Sequence, residues 1–159
     1  MVCYFLQIKD RHNGNILIDR DGHIIHIDYG FMLSSSPGNL QFEKAPFKLP
    51  LEFIDVMTGR DSIPFNYFKS LISWGFSAIR KNYQKIRCLI ELMINAGGGK
   101  MACFQSTGEV VLNNLHERFA FHIPEQKIEE YTNSLVTLSA GNWRTEMYDN
   151  FQYFSNGIL

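Results

Sequence analysis

Two short β-branched runs, Ile16-Leu17-Ile18 and Ile24-Ile25-His26-Ile27, stand close together early in the chain, separated by Asp19-Arg20-Asp21-Gly22-His23. An Asp-Gly pair between such runs signals a tight hairpin. A two-residue turn at Asp21-Gly22 pairs Ile18 with Ile25, Ile16 with Ile27 and, one step further, Asn15 with Asp28. Residues opposed in this way hold their Cβ atoms roughly 4.5 to 5.5 Å apart. An amide and a carboxylate are therefore expected to converge at the open end of the hairpin. Residues 31–50 lack periodicity; they are Ser-rich and broken by Pro, with Ser34-Ser35-Ser36-Pro37-Gly38 at the tip of an expected mobile loop. Loops of this length in compact domains are usually functional or disordered.

After residue 50 the apolar period becomes helical. The pattern predicts helices from Leu51 to about Thr58, Pro64 to about Asn82 and Tyr83 to about Ala96, ended by Gly97-Gly98-Gly99. Phe68, Leu71, Ile72, Phe76 and Ile79 share one face, as do Ile86, Leu89, Ile90, Met93 and Ile94. Ser106-Thr107-Gly108-Glu109 has capping-box spacing and should open a helix to about Phe121. Pro124 suits the first turn of the next, with Ile128, Tyr131, Leu135 and Leu138 spaced for burial. A last helix is expected from Trp143 to about Ser155, with Met147, Tyr148 and Phe151 packing inward and the terminal residues touching lipid. The fold class that follows is mainly α with one short β-hairpin.

Bulk composition narrows the function classes. A chain of 159 residues, 45% hydrophobic and 14% aromatic, can bury a core as one domain. Fifteen basic residues against sixteen acidic ones leave a formal charge of -1, so no global field collects nucleic acid or acidic lipid, and phosphate binding must be local. Cys3, Cys88 and Cys103 are odd in number and form no CxxC pair, which suits a reducing, cytoplasmic setting and offers no zinc spacing. No run reaches about 18 apolar residues, so membrane contact is expected to be peripheral. The opening Met1-Val2-Cys3-Tyr4-Phe5-Leu6 runs straight into a dense motif and reads as the interior of a longer sequence.

That motif is Asp10-Arg11-His12-Asn13-Gly14-Asn15. Phosphoryl transfer asks a protein for a carboxylate near the attacking hydroxyl and for oxygen ligands that hold a metal against the phosphates. Magnesium takes hard oxygen donors, one or two of them protein carboxylates. Asn15 and Asp28 are the candidate ligands, with Asp28 bridging metal and phosphates. An imidazole at His12 and a carboxylate at Asp10 are both apt near the hydroxyl, and which of them accepts the proton stays open. Arg11 is expected to clamp the loop rather than bind phosphate. Asp19-Arg20-Asp21-Gly22 lacks the further acidic ligands of a calcium loop and is read as a turn; His23 and His26 project to opposite faces of a strand.

These residues resemble a known family. Asp10-Arg11-His12-Asn13-Gly14-Asn15 is similar to the catalytic loop of phosphoinositide kinases, whose Asp-Arg-His order differs from that of protein kinases, and Ile27-Asp28-Tyr29-Gly30-Phe31 looks like their metal-binding segment. Ser34-Ser35-Ser36-Pro37, Phe47-Lys48-Leu49, Glu52-Phe53-Ile54-Asp55-Val56-Met57 and the ending Tyr148-Asp149-Asn150-Phe151-Gln152-Tyr153 point to the phosphatidylinositol 4-kinase branch. The likeness implies the C-terminal lobe of a two-lobed catalytic domain. Residues 1–30 would carry the catalytic loop, hairpin and metal-binding Asp-Tyr-Gly; 31–50 the activation loop; 51–159 the helical remainder.

It further implies ATP as co-substrate, Mg2+ or Mn2+ held by Asn15 and Asp28, Asp10 and His12 at the hydroxyl, and phosphatidylinositol in a membrane surface, the Golgi by likeness, as acceptor. Lys48, with Lys44, would meet the single phosphodiester of the headgroup. Tyr29 stands where Phe is commoner, its ring expected to pack inside. No Gly-rich loop or strand lysine precedes Asp10, so the N-terminal lobe is an implied partner and the isolated chain is expected to be inactive. The alternatives are a non-catalytic interaction module that keeps the motif, separable by an upstream Gly-rich hairpin, and a kinase of protein hydroxyls, separable by offering a peptide.

Overall fold

The computed structural model describes residues 1–37, 45–97, 101–104 and 107–158. Among the described residues, seven α-helices and one hairpin follow in the order α1 (Val2–Leu6), β1 (Ile16–Ile18), β2 (Ile24–His26), α2 (Leu51–Val56), α3 (Ile63–Lys81), α4 (Tyr83–Gly97), α5 (Gly108–Arg118), α6 (Ile128–Ser139) and α7 (Trp143–Asn156). The expected helical character and the single antiparallel hairpin are both present.

The helices start and stop for local reasons. Ser62 caps α3 by accepting from the Phe65 amide at 3.1 Å, with Pro64 in the first turn, where a missing N–H costs nothing. Asn142 caps α7 through the Arg144 amide, and Gly157, at φ 68°, closes it. Thr107 stands at the N-cap of α5; Ser106, the predicted capping residue, lies outside the described residues. A single 3₁₀ turn, Glu125–Lys127, precedes α6.

One core gathers around Phe5, Phe76, Leu115 and Phe119, with the Phe5 ring 4.5 Å from Phe119 and 5.1 Å from Phe76, centre to centre. Phe5 lies on α1, which the periodicity did not show because five residues are too few to display one. A second cluster joins Leu49, Ile54, Phe65, Ile72 and Val136. Here Leu49 bridges Ala140, and its carbonyl accepts from Gly141 at 2.9 Å, pinning the return of the 45–50 segment to the end of α6. Inward stripes are narrower than the sequence suggests: Leu71, Leu89, Met93 and Leu138 all face outward, while Thr132 and Ser139 are fully buried where α6 packs on α3.

The hairpin register differs by one residue from the expected one. Ile16 pairs with His26, Leu17 with Ile25 and Ile18 with Ile24. Asp19 causes the shift. Its Oδ1 accepts from the amides of Asp21 at 3.0 Å and His23 at 2.8 Å, and its backbone amide donates to the His23 carbonyl. Asp19 and His23 therefore close the turn, and Arg20-Asp21-Gly22 forms a three-residue loop with Gly22 at φ 85°, a left-handed position glycine fills without strain. Asn15 consequently stands opposite Ile27, whose amide donates to its carbonyl at 3.2 Å, and not opposite Asp28.

Candidate active site

The loop from Lys9 to Asn15 is built on α1 and leads into β1. The Lys9 amide donates to the Phe31 carbonyl at 2.9 Å, which lays the loop beside the segment that follows β2. Arg11, only 3% exposed, then spans the two. Its guanidinium donates to the carbonyls of Lys9 at 2.9 Å, Ile27 at 2.8 Å and Asn15 at 3.5 Å, and to that of Asp28. A planar cation with several fixed donors suits this clustering of carbonyls, and it fills the clamping role expected of it.

Asn15 is buried and its amide nitrogen donates to the Asp10 carbonyl at 2.9 Å, which turns its oxygen away from that carbonyl. Asp28 is exposed, and one carboxylate oxygen accepts from the Gly30 amide at 3.0 Å. So the guanidinium, rather than strand pairing, brings the Asn15 and Asp28 backbones together. Asp10 and Asp28 both sit in the left-handed region, at φ 62° and 56°. Gln7, Leu33, Thr58 and Ala120 share that region, so the strain at the two acids is part of how this backbone turns and does not by itself mark a site.

Asp10 and His12 lie side by side, with His12 Nε2 3.8 Å from Asp10 Oδ1 and both side chains largely buried. The other imidazole nitrogen, Nδ1, is buried without a hydrogen bond among the described residues. Gly14 has no room for a side chain: a Cβ would lie 2.9 Å from Ile158 Cγ2 and 3.1 Å from His12 Nδ1. Burial, followed by the Arg11 charge, lowers the basicity of His26 at the end of β2, whose Nδ1 also lacks a partner among the described residues.

The sequence did not show the role of α7. The Tyr148 hydroxyl donates to Asp10 Oδ1. The next residue, Asp149, takes Lys48 in a two-oxygen ion pair at 2.7 Å, and Lys48 Nζ also donates to Asn13 Oδ1 at 2.8 Å. The Lys48 side chain is 5% exposed, its three donors filled by protein. Lys44 lies outside the described residues, as does the middle of the predicted activation loop, residues 38–44. Of the last helix, Tyr148 packs inward as expected, whereas Met147 and Phe151 are exposed. The Tyr29 ring is exposed too, with Arg11 5.7 Å from its centre and its hydroxyl on the His26 carbonyl. An open cleft of about 570 Å³ adjoins the loop, lined in part by Asn13, Ile16, Lys48, Glu52, Glu146 and Asp149. Those three carboxylates around one paired lysine make it unsuited to an anionic headgroup.

The model of the family described as phosphatidylinositol 3- and 4-kinase matches residues 1–101. Proteins named phosphatidylinositol 4-kinase beta are similar over all 159 residues: 47% identical in Danio rerio, 48% in Homo sapiens and 47% in Xenopus laevis. The chain spans about a fifth of the length of these curated relatives, 19% in each case. By that match and these identities the chain belongs to the phosphatidylinositol 3- and 4-kinase family.

Proposed function

We propose that this chain is the C-terminal lobe of a two-lobed lipid kinase that moves the γ-phosphoryl group of ATP to the 4-hydroxyl of the inositol ring of phosphatidylinositol. The observation that carries the reading is the Arg11 clamp. One buried guanidinium bonds to the carbonyls of Asn15, Ile27 and Asp28, so the loop with Asp10 and His12 and the segment with Asp28 keep a fixed relation. The choice of the 4-hydroxyl follows the names of the relatives.

Asp10 and His12 receive and orient the acceptor hydroxyl. Asn15 and the exposed Asp28 offer hard oxygen donors of the kind Mg2+ or Mn2+ takes. Such a cation, when bound, neutralises charge developing on the β and γ phosphates. Lys48 serves the substrate indirectly, by tying the end of the activation segment to the catalytic loop and α7; Lys44 remains the candidate for the headgroup phosphodiester. A Gly-rich loop and a strand lysine elsewhere in the whole protein complete the ATP site, so the isolated 159-residue chain is inactive.

Among the described residues no helix is long and apolar enough to cross a membrane. Tyr153 and Phe154 are exposed at the end of α7 and suit peripheral contact with a lipid surface. We place the protein on the cytoplasmic face of intracellular membranes, the Golgi among them, with no nucleic-acid partner. The test is lipid phosphorylation by the full-length protein on phosphatidylinositol vesicles, with a serine peptide as competitor acceptor. Asp28→Asn should lower turnover by more than about a hundredfold. Transfer to the peptide alone, or full activity without the carboxylate, would overturn the reading.

A further inference from the structure

We propose that Tyr148, 138 residues downstream of Asp10, is a positioning residue for phosphoryl transfer that acts through the Asp10 carboxylate; this rests on the catalytic reading above. Tyr148 is 7% exposed, and most side-chain hydrogen bonds in proteins go to backbone or water. Instead the hydroxyl donates to Asp10 Oδ1, the same oxygen that faces His12 Nε2 at 3.8 Å.

The direction of that bond is set by the carboxylate, which only accepts, and the phenol is held from behind. Gln152 Nε2 donates to the Tyr148 oxygen at 2.9 Å, and Gln152 Oε1 accepts from Asn156 Nδ2 at 2.5 Å. The row Asn156, Gln152, Tyr148 thus holds the phenol oxygen in place and presents its O–H to Asp10. All three lie four residues apart on one face of α7.

Two more contacts make α7 the reference against which the loop is held. Asp149 grips Lys48, which in turn holds Asn13 of the loop, and Ile158 lies against Gly14. Without the Tyr148 hydroxyl the ring would still fill its place, but Asp10 Oδ1 would lose the donor that orients it beside His12. Misplacement of a catalytic group on the order of 1 Å costs much rate and little affinity.

The test uses the full-length protein and ATP with phosphatidylinositol vesicles. Tyr148→Phe should lower kcat about tenfold while leaving KM for ATP and lipid within about twofold and lowering the melting temperature by no more than about 4 °C, the same fall as in a Gln152→Met, Tyr148→Phe double variant. Gln152→Met should lower kcat about threefold alone and add nothing in the Tyr148→Phe background, because both act on one bond. An unchanged kcat in Tyr148→Phe, a rise in KM alone, a kcat loss matched by a larger fall in melting temperature, or additive effects of the two substitutions would each overturn the proposal while leaving the kinase reading intact. A wild-type protein without lipid kinase activity would overturn both.

Discussion

Lys48→Met isolates the energetic value of the contact between the 45–50 segment and α7. The ammonium sits 2.7 Å from both Asp149 oxygens, with the lysine side chain 5% and the aspartate 20% exposed. Removing one partner of a buried pair costs roughly 3–5 kcal/mol, because the remaining charge is left unpaired. Partial exposure of Asp149 puts this case at the lower end, near 3 kcal/mol. Asn13, also released, is exposed and turns to water. For a chain of this length each kcal/mol moves the melting temperature by roughly 2–4 °C, so a fall of about 6–12 °C is expected. Urea unfolding of the 159-residue chain supplies the free energy directly. Adding Asp149→Leu removes the stranded carboxylate and should return stability to within about 1 kcal/mol of the parent. A single substitution that changes stability by less than about 0.5 kcal/mol would show an ordinary surface pair, and a double substitution no better than the single would refute the unpaired-charge account.

Phe5→Ala should destabilise the chain by about 3–5 kcal/mol, since its ring is 1% exposed and packed between Phe76 and Phe119; the same urea titration reads it. His26 should make stability fall as pH drops. Burial and the Arg11 charge hold its folded value below 6.5, so the unfolded chain binds the extra proton first and stability is lost on acidification from about pH 6.5 downward. His26→Gln should flatten that part of the curve, and an unaltered slope would count against it.

Helix positions were legible because apolar residues recur every three or four places through α3, α4 and α6, and because Pro64 announces the start of α3, although the Ser62 cap before it went unread. What helices hide is which residues flank the buried stripe: Leu71 and Leu89 are as apolar as Ile72 and Ile90, yet a turn of about 100° separates inside from outside. The hairpin was recognisable, but its register was not. One carboxylate, Asp19, captures two amides and moves the closing pair by a residue, an effect no count of β-branched positions contains. Asp10, His12, Asn15 and Asp28 could be read as a set because they fall within 19 residues. Tyr148 and Asp149 could not. Their partners Asp10 and Lys48 lie 138 and 101 positions away, and an aromatic helix face reads the same whether its hydroxyl meets solvent or a carboxylate.

The backbone at Asp10 and Asp28 bears on how such a protein can be dissected. At φ near +60° a residue with an ordinary β-carbon pays roughly 1–2 kcal/mol, whereas asparagine and aspartate tolerate that basin and glycine is indifferent to it. Alanine scanning at either position would therefore report conformational cost mixed with lost chemistry and overstate what the charge contributes. Asparagine keeps the shape and removes only the charge, and divergent sequences that stay folded should sample Asp, Asn and Gly there before any other letter.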